Sequence, residues 1–334
     1  MSERAELLVE VTRGPIVESR HFGHIVVVSV DGSIVASVGN PQHVTYWRSA
    51  AKPVQAVPVV ESGAAEHFGF SAEEIALMGA SHSGEEKHRQ VAMSMLRKMG
   101  LGVEALRCGG TPTPLACNCS GKHAGMLALA LQMGVTLDGY TDLNHPVQQA
   151  NLKAVSKFTG LERSHIVIGV DGCGVPVFGI PLYNMALAYA KLSHPTAPEA
   201  GLSERERAAV MKITGAMMAK PYFVAGTGRL CTELMRVFNG KLLGKTGAEG
   251  VYCMSLMQKG IGVALKVEDG NARALGPAVV ETLSQLGLIG DAQKDALATF
   301  WRQPVLNLRS EVVGEIRPAF ELRFAHSGTS HDGR

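Results

Sequence analysis

Leu242-Leu243-Gly244-Lys245-Thr246-Gly247 is an apolar stretch that ends in a lysine, a threonine and a glycine. Two further apolar stretches, residues 250–256 and 260–267, follow it closely. Because the links between the three stretches are short and contain glycine, they predict three strands paired as an antiparallel meander. This meander, with a lysine near the end of its first strand, is the part of the sequence that decides the expected fold.

The beginning of the chain supplies further strands, over residues 6–13, 24–30 and 33–38. Asp31-Gly32 is a tight-turn dipeptide, so the second and third of these strands should pair antiparallel. Another strand is expected over residues 165–170. Apolar spacing predicts helices over residues 73–78, 86–99, 122–133, 146–158, 181–192, 204–220, 272–286 and 291–302.

Strands at both ends with helices between them argue against a doubly wound parallel sheet. They predict an α+β fold in which a mainly antiparallel sheet is flanked by helices and carries a helical region. We expect one unit over residues 1–334, with sheet-forming parts at about 6–48 and 240–320 and a mostly helical middle at about 50–238. The tail from Phe324 to Arg334, rich in Ser, Gly and His, should be loose.

Composition excludes several classes of protein. The 334 residues are 46% hydrophobic and 19% charged, with a formal net charge of +2 and no basic tract, so neither nucleic acid nor anionic lipid is an expected partner. No run reaches the ~18 apolar residues of a membrane span. The start Met1 to Glu6 has no signal-peptide pattern, so we expect a cytoplasmic protein whose six cysteines are reduced.

Two serine motifs precede the lysine motif. Ser49-Ala50-Ala51-Lys52 lies far upstream of Lys245, and Ser81-His82-Ser83 lies between them. The ordered set S-x-x-K, S-x-[SN] and K-T-G is typical of hydrolases that attack an acyl carbon with an activated serine. One S-x-x-K alone should occur by chance about once in a chain of this length, whereas the ordered set of three is far more specific.

Ser49 and Lys52 are three positions apart, so on a helix they share one face. A serine hydroxyl needs a base, and a lysine serves as one only when its amine is neutral, which apolar surroundings and the nearby cation Arg48 favour. A solvent-facing lysine is the alternative for this motif taken alone. Pro58 predicts a kink or a short first helical segment.

Ser81 and Lys245 predict a second serine–lysine pair, although the segment after Ser81 also fits a helix cap. A phosphate-binding loop is an unlikely alternative for the lysine motif. Only three residues separate Gly240 from Gly244 where a P-loop needs four, and they are strand-like. A dinucleotide site is equally disfavoured because the chain contains no G-x-G-x-x-G.

Two segments carry cysteines among glycines and polar residues. One contains Cys119, Lys122 and His123 at an expected helix start, and the other contains Asp171 and Cys173 after an expected strand. Thiolates are good zinc ligands, but lysine is a rare one because it must be neutral. From spacing alone, ordinary reduced thiols and a metal site both remain open.

Six ordered motifs stand out along the chain: Arg48-Ser-Ala-Ala-Lys-Pro53, Ala80-Ser-His-Ser-Gly-Glu85, Cys119-Ser-Gly-Lys-His-Ala-Gly125, Val170-Asp-Gly-Cys-Gly-Val-Pro176, Gly226-Thr-Gly-Arg-Leu-Cys-Thr-Glu233 and Lys245-Thr-Gly-Ala-Glu-Gly250. They resemble the rhizobial-type L-asparaginases, the class 3 or asparaginase II family, and the resemblance runs from about residue 7 to about residue 320. It implies a serine β-lactamase-like and glutaminase-like fold, and a homodimer that hydrolyses L-asparagine to L-aspartate and ammonia.

The resemblance also implies roles for individual residues. The catalytic set is Ser49, with Lys52 as its base, and the pair Ser81 and Lys245. A zinc site falls on Cys119, Lys122 and Cys173, where the metal would tune substrate affinity. We expect Arg48, Asp171, His123 and Cys231 to bind substrate. Ser83 departs from the asparagine that many relatives carry there.

Three alternatives stay open. A glutaminase and a β-lactam hydrolase would use the same fold and the same serine chemistry, although the lack of an export signal counts against β-lactam substrates. A protein that keeps the fold but only binds a metal or a small ligand is the non-enzymatic alternative.

Overall fold

The computed structural model describes residues 4–325. The strands are β1 Glu6–Arg13, β2 Ile16–Ser29, β3 Ile34–Val38, β4 Val44–Tyr46, β5 Val167–Val170, β6 Pro176–Pro181, β7 Leu242–Thr246, β8 Val251–Leu256, β9 Ile261–Val267, β10 Gln303–Leu306, β11 Val312–Pro318 and β12 Arg323–Phe324. The α-helices are α1 Lys52–Gln55, α2 Val57–Glu61, α3 Ala64–His67, α4 Ala72–Met78, α5 Glu86–Lys98, α6 Ser120–Met133, α7 Pro146–Thr159, α8 Leu182–Ser193, α9 Glu204–Ala219, α10 Pro221–Ala225, α11 Leu230–Phe238, α12 Leu275–Gln285, α13 Asp291–Ala296 and α14 Ala298–Trp301.

One large antiparallel sheet has the strand order β10-β11-β1-β2-β9-β8-β7, with β3 paired to both β2 and β12. The predicted meander is confirmed: Lys245 pairs with Cys253 across β7 and β8, and β8 pairs with β9. The turn at Asp31-Gly32 joins β2 and β3 antiparallel, as predicted. The fold is therefore α+β with a mainly antiparallel sheet.

Helix α8 packs directly on the centre of this sheet, against β9, β2 and β8. The contact depends on Gly262 in β9, where an added Cβ would overlap the carbonyl of Ala186 and the amide of Ala190. Without a side chain at Gly262, the backbones of helix and sheet come close together. This packing positions β8, the strand with which the Lys245-bearing strand β7 pairs.

The helical region lies between β4 and β7 in the chain, and it contains a second, smaller antiparallel sheet with the order β4-β6-β5. Helices α2, α4, α6 and α9 pack against one another in this region. The short segments expected from Pro58 are present: the chain forms a 3-10 turn followed by two short helices, α1 and α2. Ser49 and Lys52 lie on this broken segment.

Several elements differ from the sequence prediction. The expected helix over residues 291–302 is interrupted at Leu297, whose side chain is fully buried. Strands β4, β6, β10, β11 and β12 were not predicted. Phe324 ends β12 rather than starting a loose tail, and residues 326–334 of that expected tail lie outside the described residues. Within residues 4–325, no helix is long and apolar enough to cross a membrane.

Candidate active site

Ser49 lies in a tight turn, Arg48–Ala51, that is anchored from both sides. The amide of Trp47 donates to the carbonyl of Phe178 at 2.8 Å, and the hydroxyl of Tyr189 donates to the carbonyl of Ala50 at 2.7 Å. Arg48 has φ of +51°, a left-handed backbone conformation that side-chain-bearing residues adopt at a cost. The fold therefore holds the half-buried serine in a fixed and locally strained turn.

Lys52 is fully buried one turn after Ser49. Its Nζ donates to Ala80 O at 2.6 Å, Ser81 Oγ at 3.0 Å and Asn118 O at 3.1 Å. Three acceptors match the three N–H bonds of an ammonium. Within residues 4–325, no hydrogen bond joins Lys52 to Ser49 Oγ, so the serine paired with this lysine is Ser81.

The segment from Ser81 to Glu85 is held against the end of α10. The amides of Ser81 and Ser83 donate to the carbonyls of Val224 at 2.9 Å and Ala225 at 3.0 Å. Ser83 Oγ donates to Ala225 O at 2.8 Å and lies 3.4 Å from Nη1 of Arg229, which donates to it. The side chain of Ser83, which stands where many relatives carry asparagine, therefore contacts an arginine and a backbone carbonyl.

Lys245 is fully buried near the end of β7, and its Nζ donates to Thr246 O at 2.8 Å. Burial, together with the positive charge of Lys52, lowers its pKa to about 7. The expected hydrogen bond to Ser81 is absent from the described structure. An added Cβ at Gly247 would lie 3.0 Å from Trp47 O, so the glycine of the lysine motif lets β7 approach the serine turn.

These motifs line one cavity of about 250 Å³. Ser49 and Ser81 open onto it, as do the loop that follows β7 and the segment before α12. The volume lies at the small end for ligand pockets, as suits a single amino acid. A neighbouring cavity of about 390 Å³ shares part of this wall but contains none of the four predicted catalytic residues. The residues lining the smaller cavity are Ser49, Ser81, His82, Asn118, Arg229, Thr246, Gly247, Ala248, Glu249, Gly250, Gly270, Ala272 and Leu275.

The predicted metal residues come together from the two cysteine segments. One donor atom each from Cys119, Asp171 and Cys173 lies within 4.8 Å of the others, and Lys122 Nζ is 3.1 Å from Cys173 Sγ. Two thiols, a carboxylate and an amine form a donor set that suits zinc. Asp171 joins this set, although its sequence prediction was substrate binding.

Charges in this cluster are strongly coupled. A hydrogen bond from Cys117, and then one from Cys173, lower the pKa of Cys119 and favour its thiolate. Burial alone would lower the pKa of Lys122, but the negative charges of Cys119, Cys173 and Asp171 together raise it. A bound zinc ion would take the place of the proton on the Lys122 amine.

His123 is buried, and one of its ring nitrogens has no hydrogen-bond partner within residues 4–325. The amide of Arg107 donates to Tyr140 Oη at 2.9 Å, which leaves the Tyr140 proton for His123 Nδ1 at 2.7 Å. The proton of His123 then sits on Nε2, and burial lowers the pKa of this histidine to about 3. In residues 4–325 that Nε2 has no partner, which is the situation of a group prepared for a bound acceptor.

The other predicted substrate residues are engaged within the protein. Arg48 Nε donates to Asp171 Oδ1 at 2.8 Å, so these two residues pair with each other. Cys231 is buried, and its Sγ accepts from the amide of Thr246 at 3.2 Å. Neither Arg48 nor Asp171 lines the cavity onto which Ser49 opens.

A second histidine group was not singled out in the sequence. His24, His43 and Glu268 bring their side-chain atoms within 4.8 Å of one another. However, His24 Nδ1 accepts from the amide of Asn40 at 3.0 Å, so its proton sits on Nε2, which is 2.8 Å from Glu268 Oε1. With both ring nitrogens used, His24 is a structural histidine rather than a metal ligand.

Sequence reasoning missed five polar residues of the cavity: His82, Asn118, Arg229, Thr246 and Glu249. Four of them belong to the quoted motifs, His82 in Ala80–Glu85, Arg229 in Gly226–Glu233 and the last two in Lys245–Gly250. Membership of a motif was thus a usable signal. What the sequence lacked was the direction of each side chain, which decides whether it faces the cavity.

Comparison with known proteins identifies the family of the chain. The family model described as L-asparaginase II matches residues 9–318. A search of curated proteins gave no match. Among solved structures, the chain is similar to a β-lactamase from Mycobacterium bovis at 11% identity and a TM-score of 0.44, covering 80% of this chain and 95% of that one.

Two further structures show likeness at the same level. A class C β-lactamase from Rhodobacter sphaeroides is 14% identical with a TM-score of 0.43, and the match covers 80% of this chain and 95% of that one. A D-alanine carboxypeptidase AmpC from Burkholderia cenocepacia is 11% identical with a TM-score of 0.38, with coverages of 78% and 93%. These likenesses are too distant to carry an argument, and the family match carries the assignment.

Proposed function

The chain belongs to the L-asparaginase II family, and from this premise we propose that it hydrolyses L-asparagine to L-aspartate and ammonia. The family makes the chain an amidohydrolase. The observation that best supports a serine mechanism is the cavity in which Ser49 and Ser81 open beside two fully buried lysines, Lys52 and Lys245. Its small volume favours a free amino-acid amide over a larger substrate.

In this proposal Ser49 Oγ attacks the side-chain amide carbon of asparagine. The attack requires a base, and Lys52 is one helical turn away but donates three hydrogen bonds. Lys245, with its pKa lowered to about 7, is largely neutral just above neutrality. Ser81 Oγ accepts from Lys52 and has no hydrogen bond to Lys245 in the described structure, so a proton relay from Lys52 through Ser81 to Lys245 requires the Ser81 hydroxyl to turn toward Lys245. That transfer would leave Lys52 free to take the proton of Ser49.

The same groups complete the cycle. Lys52 gives the proton of Ser49 back through Ser81 to the leaving nitrogen, so ammonia departs and an acyl–serine ester remains. A water molecule then loses a proton to Lys52 and attacks the ester. Lys52 returns that proton to Ser49 Oγ as the ester bond breaks, which frees aspartate and restores Ser49. Backbone N–H groups near Ser49 would stabilise the oxyanion in both halves.

We also propose a zinc site at Cys119, Lys122 and Cys173, with Asp171 as a further donor. When bound, zinc would supply a fixed positive charge beside the turn that holds Ser49, which would tune the affinity for substrate. Arg48, paired to Asp171, connects this cluster to the turn that holds Ser49. His123, with its free Nε2 proton, and Cys231, bonded to Thr246, are proposed to shape the substrate pocket.

Three substrates test the proposal. Hydrolysis of L-asparagine and of L-glutamine is measured by ammonia release, and hydrolysis of a chromogenic β-lactam is measured by ring opening. We expect asparagine to be hydrolysed best and Ser49→Ala to abolish the reaction. Preference for glutamine or for the β-lactam would replace asparaginase by the corresponding alternative. Inactivity of the zinc-loaded protein on all three would favour a non-enzymatic binding protein.

We further propose a homodimer in the cytoplasm as the functional form, on the basis of the family resemblance. Sedimentation equilibrium of the purified protein measures its mass directly. A mass equal to that of one 35.4 kDa chain at micromolar concentration would reject the dimer.

A further inference from the structure

The cavity onto which Ser49 opens carries one cation and one anion among its lining side chains, Arg229 and Glu249. His82, which also lines it, is neutral because burial lowers its pKa to about 3. An α-amino acid carries a carboxylate and an ammonium on the same carbon. We infer that Arg229 binds the substrate α-carboxylate and Glu249 its α-ammonium, an inference that rests on the proposed amidase function.

In the described part of the chain, neither side chain has an oppositely charged group within 4.0 Å. Lys266, whose Nζ donates to the Glu249 carbonyl, attracts the Glu249 carboxylate at longer range. Within residues 4–325, the Arg229 side chain makes one hydrogen bond, to Ser83 Oγ at 3.4 Å. The other candidates for this role, Arg48 and Asp171, pair with each other at 2.8 Å and do not line the cavity.

Arg229 is held in place by the segment that contains Ser81. The carboxylate of Glu85 accepts from the amide and from the hydroxyl of Thr227, both at 2.9 Å. Gly226, with φ of +115°, fits against Ser83 and Glu85 where an added Cβ would clash. The turn before α11 therefore has a fixed position relative to Ser81, which places the backbone of the exposed Arg229 beside the cavity.

Glu249 is fixed from the other side of the loop that follows β7. Its backbone has φ of +59°, and its carbonyl accepts from Lys266 Nζ at 2.7 Å. An added Cβ at Gly270 would lie 2.8 Å from Glu249 Oε2, so the carboxylate rests against this glycine. Gly270 itself lines the cavity, which places the carboxylate at its wall.

Two analogues of asparagine separate the two contacts. Succinamic acid keeps the carboxylate and the amide but lacks the α-ammonium, and 3-aminopropanamide keeps the ammonium and the amide but lacks the carboxylate. For the wild type we expect kcat/KM to be highest for asparagine and at least about tenfold lower for each analogue. These three amides contain the same reacting group, so the serine chemistry is common to all.

The test measures kcat/KM for the three amides with wild type, E249Q and R229Q. E249Q should lower kcat/KM about tenfold for asparagine and change it little for succinamic acid, so the preference between these two substrates disappears. R229Q should likewise lower kcat/KM for asparagine and change it little for 3-aminopropanamide. The losses should appear mainly in KM, and R229K should recover part of the preference.

Control variants E18Q and R13Q change an exposed ion pair on the first strands and should leave all values unchanged. If both cavity variants lower kcat/KM for all three amides by one common factor, the two residues act structurally and the inference is overturned. If the wild type hydrolyses none of the amides, the proposed function fails first and the inference falls with it. The two failures are therefore distinguishable.

Discussion

At the scale of single residues, the site contains two buried lysines whose surroundings differ. Lys52 donates to three oxygen atoms, whereas Lys245 donates to one carbonyl. Burial and the charge of Lys52 lower the pKa of Lys245 to about 7. Just above neutrality the Lys245 amine can therefore accept a proton.

The first prediction concerns pH. Below about pH 7 Lys245 is charged and cannot accept a proton, and above it the amine is neutral, so kcat should rise with pH through an apparent pKa near 7. A kcat profile over about pH 5 to 9 measures this rise. Lys245→Arg keeps the positive charge and should be slow, without a rise in that range. A kcat that falls through neutrality would show that Lys245 acts as the acid instead.

A second prediction concerns Ser49 and Lys52, which should act as one unit. Ser49→Ala and Lys52→Ala should each lower kcat/KM by about 10³-fold or more, and the double variant should be scarcely worse. The exposed Lys241, four residues before Lys245, provides a control, since Lys241→Ala should retain activity. Losses that multiply in the double variant would mean that Lys52 is not the base for Ser49.

At the scale of elements, the sequence predicted well where one strong pattern governed a segment. The meander β7–β9 has continuous apolar runs and short glycine links, and the turn between β2 and β3 has an Asp-Gly signal. Strand β6 was missed because it begins and ends with proline, and β11 because it is half-buried and carries charges. The helix predicted over 291–302 is divided at Leu297, whose side chain is fully buried at the junction of α13 and α14.

The same limit applies to the site. The motifs identified Ser49, Lys52, Ser81 and Lys245 because spacing along the chain encodes them. Their pairing depends on tertiary packing, and the structure joins Ser81 to Lys52 rather than to Lys245. Whether Arg48 or Arg229 faces the cavity also depends on packing, since both are arginines beside a motif serine or glycine.

The third prediction tests the contact between α8 and the sheet. Gly262→Ala should destabilise the protein by about 2–3 kcal/mol, because a Cβ there overlaps the backbone of α8 and forces the two elements apart. Gly215 in the exposed face of α9 has no atom within 4 Å of an added Cβ. Gly215→Ala should therefore stabilise by about 0.5–1 kcal/mol. Calorimetric midpoints of both variants provide the measurement, and equal shifts in the same direction would contradict the packing argument.

At the scale of the whole molecule, the site is assembled from segments far apart in the chain. The serine turn near residue 49, the segments at 81–85, 118–123 and 171–173, the turn at 226–229 and the loop after β7 converge at one edge of the large sheet. Arg48 is paired to Asp171, and Asn118, whose carbonyl accepts from Lys52, precedes Cys119. The thiol cluster and the serine turn are thus joined by an ion pair and a hydrogen bond.

This connection leads to the last prediction, on zinc. The thiols of Cys119 and Cys173 and the amine of Lys122 must each lose a proton to bind the metal, so zinc occupancy should fall as pH is lowered. If zinc orients substrate without taking part in bond breaking, its removal should raise KM far more than it lowers kcat. Cys119→Ser and Cys173→Ser should reproduce that pattern in a folded protein, whereas Cys108→Ser, outside the donor group, should not.

Elemental analysis of protein purified without chelators measures occupancy, and kinetics after chelation and after return of zinc separate KM from kcat. Zinc should be present, and KM should recover when it is returned. Protein free of zinc would leave the cysteines as ordinary thiols around an ammonium. Loss of kcat at constant KM would instead give the metal a part in the chemistry, because positioning alone acts on substrate binding before it acts on turnover.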